Sequence, residues 1–197
     1  MIITVASFKG GVGKTTTAIH LAEFLQSDAA TLLVDGDLNR SALQWAKADE
    51  FNFQVCDEAQ VAKYSRMAEH IVIDTPARPS AEELATLAGG CDLMVVPTSP
   101  DALSMGAMLQ MLRYLDNQIF KVLLTIVPPK PSKRGDDARA ALVENDLPIF
   151  ATEIRQLDAF RKAAEQGRPV NKVAGDRMAG VAWSCYRKVG EEILSNG

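Results

Sequence analysis

Short apolar runs rich in β-branched residues punctuate the chain at 2–7, 30–34, 70–74, 92–97 and 120–127, with weaker ones at 53–56 and 147–151. Most are continuously apolar rather than alternating, the pattern of strands covered on both faces in a parallel sheet. Between them the apolar spacing shifts to a helical period over 15–26, 80–88, 102–117, 135–145, 155–166 and 178–194. The first of these places Ala18, Leu21, Ala22 and Leu25 on one face. The last places Val181, Ala182, Cys185, Val189 and Ile193 on the face that packs onto a sheet. Met105, Met108 and Met111 recur at helical spacing and read as core, with an adaptable interface as the second reading. Strand, helix, strand in this alternation implies right-handed crossovers and an α/β, three-layer, doubly wound, mostly parallel sheet. Ligands of such sheets sit at the carboxyl ends of the strands.

Composition narrows the class without naming a function. The chain has 197 residues, 47% hydrophobic and 23% charged, enough to bury one α/β core, and 1–197 reads as a single domain. No linker or repeat divides it, and the Pro/Lys-rich stretch at 128–135 reads as a loop on the rim of a site. There is no 18-residue apolar run to span a membrane, and the first residues read as a strand rather than a secretory signal. Cys56, Cys91 and Cys185 are scattered and odd in number, which excludes a CxxC pair and points to a reducing cytoplasm. Net charge is −4, but residues 151–197 carry 8 Lys/Arg against 6 Asp/Glu. A local basic face near the C-terminus and ordinary solvated helix faces both fit that asymmetry.

The candidate chemistry begins where the first strand ends, at Lys9-Gly10-Gly11-Val12-Gly13-Lys14-Thr15-Thr16. Glycines before a helix let backbone N–H groups turn inward around a phosphate, and the helix N-terminus adds partial positive charge. Lys14 is placed for the β/γ oxygens and the Thr15 hydroxyl for Mg²⁺. Lys9 lies on the outside of such a loop, poorly placed for its own nucleotide and free to reach another subunit's phosphates, as an arginine finger does. Asp35-Gly36-Asp37 ends one strand, with two carboxylates suited to Mg²⁺ and a hydrolytic water, although a simple turn is the alternative. Ile71-Val72-Ile73-Asp74 is an apolar strand ending in a carboxylate suited to a metal's water shell.

These residues together resemble the ParA/MinD family of deviant Walker A ATPases. Residues 9–16 look like that family's phosphate loop, in which the first glycine of the general motif is often absent; Phe8 stands there in this chain. Asp35 to Ser41 resembles the family's switch I, D-x-D-x-Q, with Asn39 in place of the usual Gln. Asp74-Thr75-Pro76 resembles the opening of switch II. By resemblance, Asp37 positions the attacking water. Residues 92–100 look like the strand leading to the helix at the dimer face, and Thr152 to Arg155, Phe160 and 164–170 like the segment near the adenine site.

The resemblance implies a small ParA without an N-terminal helix-turn-helix domain. The Cys pair of iron–sulfur relatives and the CxxC of tail-anchored-protein targeting relatives are missing from the sequence. The acidic end of the last helix, Glu191-Glu192, makes a poor membrane anchor, so no membrane partner is expected. The implied activity is hydrolysis of ATP with Mg²⁺, with Lys9, Lys14 and Asp37 catalytic, residues 9–16 on the nucleotide, and Thr15, Asp37 and Asp74 at the metal. The implied partners are a second copy in an ATP-dependent sandwich dimer, non-specific DNA of the nucleoid, and a cargo-linked activator. Cargo in such systems is a plasmid or a protein organelle such as the carboxysome, and overall likeness favours the latter. Candidate DNA contacts are Arg161, Lys172, Arg187 and Lys188, within a set that includes Arg155, Lys162, Arg168 and Arg177. The alternatives are a MinD-like membrane-associated ATPase, a metabolic ligase of dethiobiotin-synthetase type, and a non-hydrolysing scaffold.

Overall fold

A computed structural model describes residues 1–48, 50–115 and 120–195. Six strands form one sheet: β1 (Ile2–Ser7), β2 (Thr31–Asp35), β3 (Gln54–Asp57), β4 (His70–Ala77), β5 (Leu93–Thr98) and β6 (Phe120–Leu124). Their order is β3-β2-β4-β1-β5-β6, and every pairing is parallel. The chain thus winds from β1 toward one edge, returns, and winds toward the other. That reversal opens the crevice beside the end of β1.

The helices are α1 (Lys14–Leu25), α2 (Ser41–Trp45), α3 (Val61–Tyr64), α4 (Ala81–Gly89), α5 (Ala102–Leu112), α6 (Arg134–Glu144), α7 (Asp158–Gln166) and α8 (Ala179–Leu194). Alternate strand residues feed two cores, as strands buried on both faces must. Ile3, Val5, Leu33, Val72 and Val95 pack with residues of α1, α2, α7 and α8. Ala6, Met94, Val96, Val122 and Leu124 pack with α4, α5 and α6 on the opposite face. Met108 and Met111 belong to this second core, with Met105 packed against it. Helix α1 is covered almost all round: Thr17, Ile19 and His20 are as fully buried as Ala18, Leu21 and Ala22.

Several sequence expectations shift. The expected strand at 147–151 is only a bridge, Ile149 to Val122, flanked by Val122 N donating to the Pro148 carbonyl and Phe150 N donating to the Val122 carbonyl. Pro148 has no N–H with which to extend a ladder. The strand expected over 120–127 ends at Leu124, because Ile126 turns the chain with φ 53° and Val127 then bridges Arg155. That bridge holds residue 155 extended, with Gln156 N bonded to the Val127 carbonyl, so α7 starts at Asp158 rather than 155. The expected helix over 102–117 ends at Leu112, and its positions 116 and 117 lie outside the described residues. The short helices α2 and α3 carry too few turns for a periodic signal.

Candidate functional site at the end of the first strand

The loop after β1 is shaped by two glycines in left-handed conformations, Gly11 (φ 79°) and Gly13 (φ 85°). Its carbonyls are fixed from outside: Ser7 Oγ donates to Lys9 O at 2.8 Å, and Thr125 Oγ1 donates to Val12 O at 2.7 Å. Gly13 is the N-cap of α1, and no side chain caps that helix and no acid lies in its first turn. The first amides of α1 and its positive dipole end are therefore left for a ligand, the arrangement that favours phosphate. A Cβ built on Gly10 or Gly11 would meet nothing within 4 Å, so the space above the loop is open. A cleft of about 530 Å³ runs from Gly10–Thr16 past Asp37, Asn39 and Ser41 to Trp45, Phe160 and Tyr186. Val12 is buried beneath the loop.

Strand register brings the acidic residues together. Asp74 of β4 stands level with Val5 of β1 and Asp35 of β2. The Asp35 carboxylate accepts from Asp37 N (3.1 Å) and Leu43 N (2.9 Å), so its role is to brace the loop into α2. Asp37 lines the cleft, and its Oδ1 accepts from both Asn39 N (2.9 Å) and Asn39 Nδ2 (3.0 Å). Asp74 Oδ2 accepts from Thr15 Oγ1 at 2.6 Å, while Asp74 Oδ1 is buried with no hydrogen-bond partner. Burial pushes the Asp74 carboxyl up to about 7; the Thr15 hydroxyl and Lys14 oppose that rise, and Asp35 and Asp37 add to it.

An orphaned carboxylate oxygen beside a hydroxyl fits a hard divalent cation with oxygen ligands. Thr15, Asp37 and Asp74 are the donors within reach of the loop. Among the described residues no three acidic, His or Cys side chains converge as a metal cage.

Lys9 does not line the cleft. Its ammonium donates to Asp101 Oδ1 (3.1 Å) and Ser104 Oγ (2.8 Å) at the start of α5. Asp101 also accepts from Ser99 Oγ (2.6 Å), Ser104 Oγ (2.7 Å) and Ser104 N (3.0 Å). The Ser99 and Ser104 bonds, followed by Lys9, hold its carboxyl far below the usual range. Lys9 lies outside the cleft, as its place in the sequence predicts, and its partners Asp101 and Ser104 come after a neighbouring strand, 92 and 95 residues on. The signal was present as Asp101-x-x-Ser104 after a strand end, an N-cap spacing.

The far wall of the cleft is aromatic. His20 stacks on Tyr186 (4.9 Å between centroids) and meets Trp45 and Phe160 edge-on. Val170 N donates to His20 Nε2, so Nδ1 carries the proton that is donated to Thr16 O at 2.6 Å. Burial lowers the His20 pKa to about 4, keeping the ring neutral. Nothing in the sequence distinguishes Trp45 and Tyr186 from core aromatics.

The four cations singled out for DNA differ in their surroundings. Arg161 pairs with Asp158 and Glu165 of its own helix. Lys172 lies 3.6 Å from the buried Glu23 carboxylate and donates to Glu50 O at 2.7 Å, a brace rather than a free charge. Arg187, loosely paired with Glu191 at 3.7 Å, and Lys188 are both exposed on α8. No helix among the described residues is long and apolar enough to cross a membrane.

A family model for the CobQ/CobB/MinD/ParA nucleotide binding domain matches residues 3–170. The chain belongs to this family. It is 32% identical over 206 residues to Maintenance of carboxysome distribution protein A of Gloeobacter kilaueensis, covering 98% of this chain and 93% of that protein. Among solved structures, apo McdA of Cyanothece superposes with a TM-score of 0.77 at 17% identity, covering 98% of each chain. A variant of the same protein in complex with ATP gives 0.74, at 17% identity over 98% of this chain and 96% of that one. MinD of Pyrococcus horikoshii complexed with Mg-ADP gives 0.71, at 19% identity over 98% and 95%. At these identities the structural likenesses establish the shared P-loop α/β fold.

Proposed function

We propose that this protein is a ParA-type positioning ATPase that closes into a sandwich dimer on ATP, retains DNA as a dimer, and hydrolyses ATP when a cargo-linked partner engages it. The observation that carries the reading is the placement of Lys9. Its ammonium rests on Asp101 and Ser104 outside a cleft that Lys14 lines from within. One lysine serves the chain's own nucleotide; the other is poised at the rim to serve a second copy's.

In this scheme Gly10 to Gly13 and the α1 amides cradle the phosphates, Lys14 balances their charge, and Thr16 lines the continuing cleft. Thr15, Asp37 and Asp74 would hold Mg²⁺, which would supply neutralisation of the charge on the transferred phosphoryl group. Asp37 orients the attacking water. Lys9 leaves Asp101 and stabilises the phosphates across the dimer, as a finger in trans. Leu38, 86% exposed beside Asp37, and Leu103, 77% exposed beside Ser104, give the face around the cleft apolar flanks that a second copy would cover. DNA is held without sequence preference by exposed cations, foremost Arg187 and Lys188 of α8. The cargo is a protein organelle of the carboxysome type or a plasmid, and the working location is the nucleoid. The likeness to a relative named for carboxysome distribution supports the former. Light scattering of wild type and Lys9→Ala with ATP and with ADP tests the reading: an ATP-specific dimer in wild type alone supports it, and a nucleotide-independent monomer overturns it.

A further inference from the structure

Asp37 stands in the turn between the end of β2 and the start of α2, and Arg40 closes that turn from outside. Arg40 N donates to Asp37 O at 2.9 Å, and Gln44 N donates to Arg40 O at 2.8 Å. The guanidinium spans the turn. One Nη donates to the Asp35 carbonyl, where the chain enters, and the other lies 3.0 Å from Glu58 Oε2, just past the end of β3. Because β2 and β3 are neighbours, the same fork ties the turn to the adjacent strand end. Residues 37, 39 and 41 line the cleft and residue 40 does not, so Arg40 reaches the site only through the backbone it holds. Its φ of 52° and ψ of 42° are left-handed, a conformation that glycine takes freely and other residues take under strain. Strain borne beside a cleft marks the side chain as what the position needs.

We propose that Arg40 is the positioning residue that holds Asp37 in the place from which it orients the attacking water. The proposal rests on the reading of Asp37 as that group. With Asp35 O and Glu58 both engaged, the two sides of the turn are pinned together. The Asp37 carboxylate, whose Oδ1 already takes both nitrogens of Asn39, then keeps one direction. A shift of about 1 Å in a group that aligns a nucleophile is enough to cost on the order of a hundredfold in rate. The phosphate cradle is built from Gly10 to Gly13 and the α1 amides, which Arg40 does not touch, so ATP affinity lies outside its influence. The planar fork serves two acceptors at once; a lysine ammonium on a flexible stem does not hold the same pair in register. Glu58 is 57% exposed and screened by water, so the Asp35 carbonyl is the stronger of the two anchors.

The test follows single-turnover hydrolysis of labelled Mg-ATP by the full chain, with affinity read from a fluorescent ATP analogue. Arg40→Gln is expected to hydrolyse about tenfold more slowly, with affinity within about twofold of wild type. Arg40→Lys should be as slow, for want of the fork. Arg40→Gly, which takes the left-handed φ without strain, should be as slow too, and Glu58→Gln should lose only about twofold. In an Asp37→Ala background Arg40→Gln should cost nothing more, since the turn then has no carboxylate to aim. A wild-type rate in Arg40→Gln, or its recovery in Arg40→Gly, would overturn the proposal. So would a further loss of about tenfold in the Asp37→Ala background, which would make Arg40 a support of the fold alone. Urea unfolding and analogue binding report the folding of each variant. A wild-type rate in Asp37→Ala sinks the reading of Asp37 itself, whereas a slow Asp37→Ala beside a fast Arg40→Gln sinks the role of Arg40 alone.

Discussion

Lys9 and Asp101 meet at 3.1 Å although 92 residues separate them, because β1 and β5 are neighbours and the loops leaving them emerge side by side. The pair is only part-buried, with side chains 33% and 42% exposed, so water screens it and its net stabilisation is small. It is a resting place that a stronger anion can empty. Lys9→Ala is therefore expected to keep monomer nucleotide affinity within about threefold while abolishing the ATP-dependent dimer. Fluorescent-nucleotide titration and light scattering check the two halves; a normal dimer would remove Lys9 from the interface.

Lys14 is the contrasting lysine, 7% exposed and facing the cleft. Loss of a charge-assisted contact to phosphate costs about 1.5–3 kcal/mol, so Lys14→Ala should weaken ATP by roughly a hundredfold. Retained tight binding in a calorimetric titration would displace the phosphate-loop assignment.

Asp37 is held toward the cleft by Asn39, whose backbone and side-chain nitrogens both donate to Oδ1. Asp37→Ala should lower turnover by about 100-fold or more, the usual cost of losing a group that orients or deprotonates the nucleophile. ATP binding and the dimer should persist, trapping the ATP state. Wild-type phosphate release by the variant would exclude Asp37 from the chemistry.

Two buried groups give the ligand-free protein opposed pH dependences. Asp74, with a folded pKa of about 7 above its ordinary 3.8, holds a proton that the unfolded chain has released between those values. Its contribution falls as pH rises through that window, by at most roughly 1.4 kcal/mol per unit. His20, with a folded pKa of about 4 below its ordinary 6.5, contributes stability that is lost as pH falls through 6.5 toward 4. Over the shared range the slopes offset each other. Asp74→Asn should therefore be more stable than wild type at pH 8 and lose stability more steeply on acidification below 6.5. Urea unfolding across pH reads both effects; parallel curves for the two proteins would contradict them.

The legible parts of the molecule are those with local signals. The glycines at 10, 11 and 13, the apolar strand into Asp74 and the Asp35-Gly36-Asp37 turn carry their chemistry in contiguous residues, and the sheet brings them to one edge. What sequence concealed depends on crossings. Asp101 and Thr125 reach the loop after β1 only through neighbouring strands, and Tyr186 reaches α1 only because α8 packs on it. Lys172 looked like a free cation because nothing nearby in sequence marks Glu23 as a buried partner. Residues 147–151 had the composition of a strand, but Pro148 limited them to a bridge.

The central claim is that ATP makes a DNA-retaining dimer. It is tested most directly by retention on non-specific DNA with ATP, with ADP and without nucleotide, across a salt series. The account predicts retention with ATP alone, falling with salt by about 0.9 in log K per log salt for each phosphate neutralised. It also predicts a shallower slope for the double variant Arg187→Glu and Lys188→Glu. Equal retention in all three nucleotide states, or none with ATP, would contradict it.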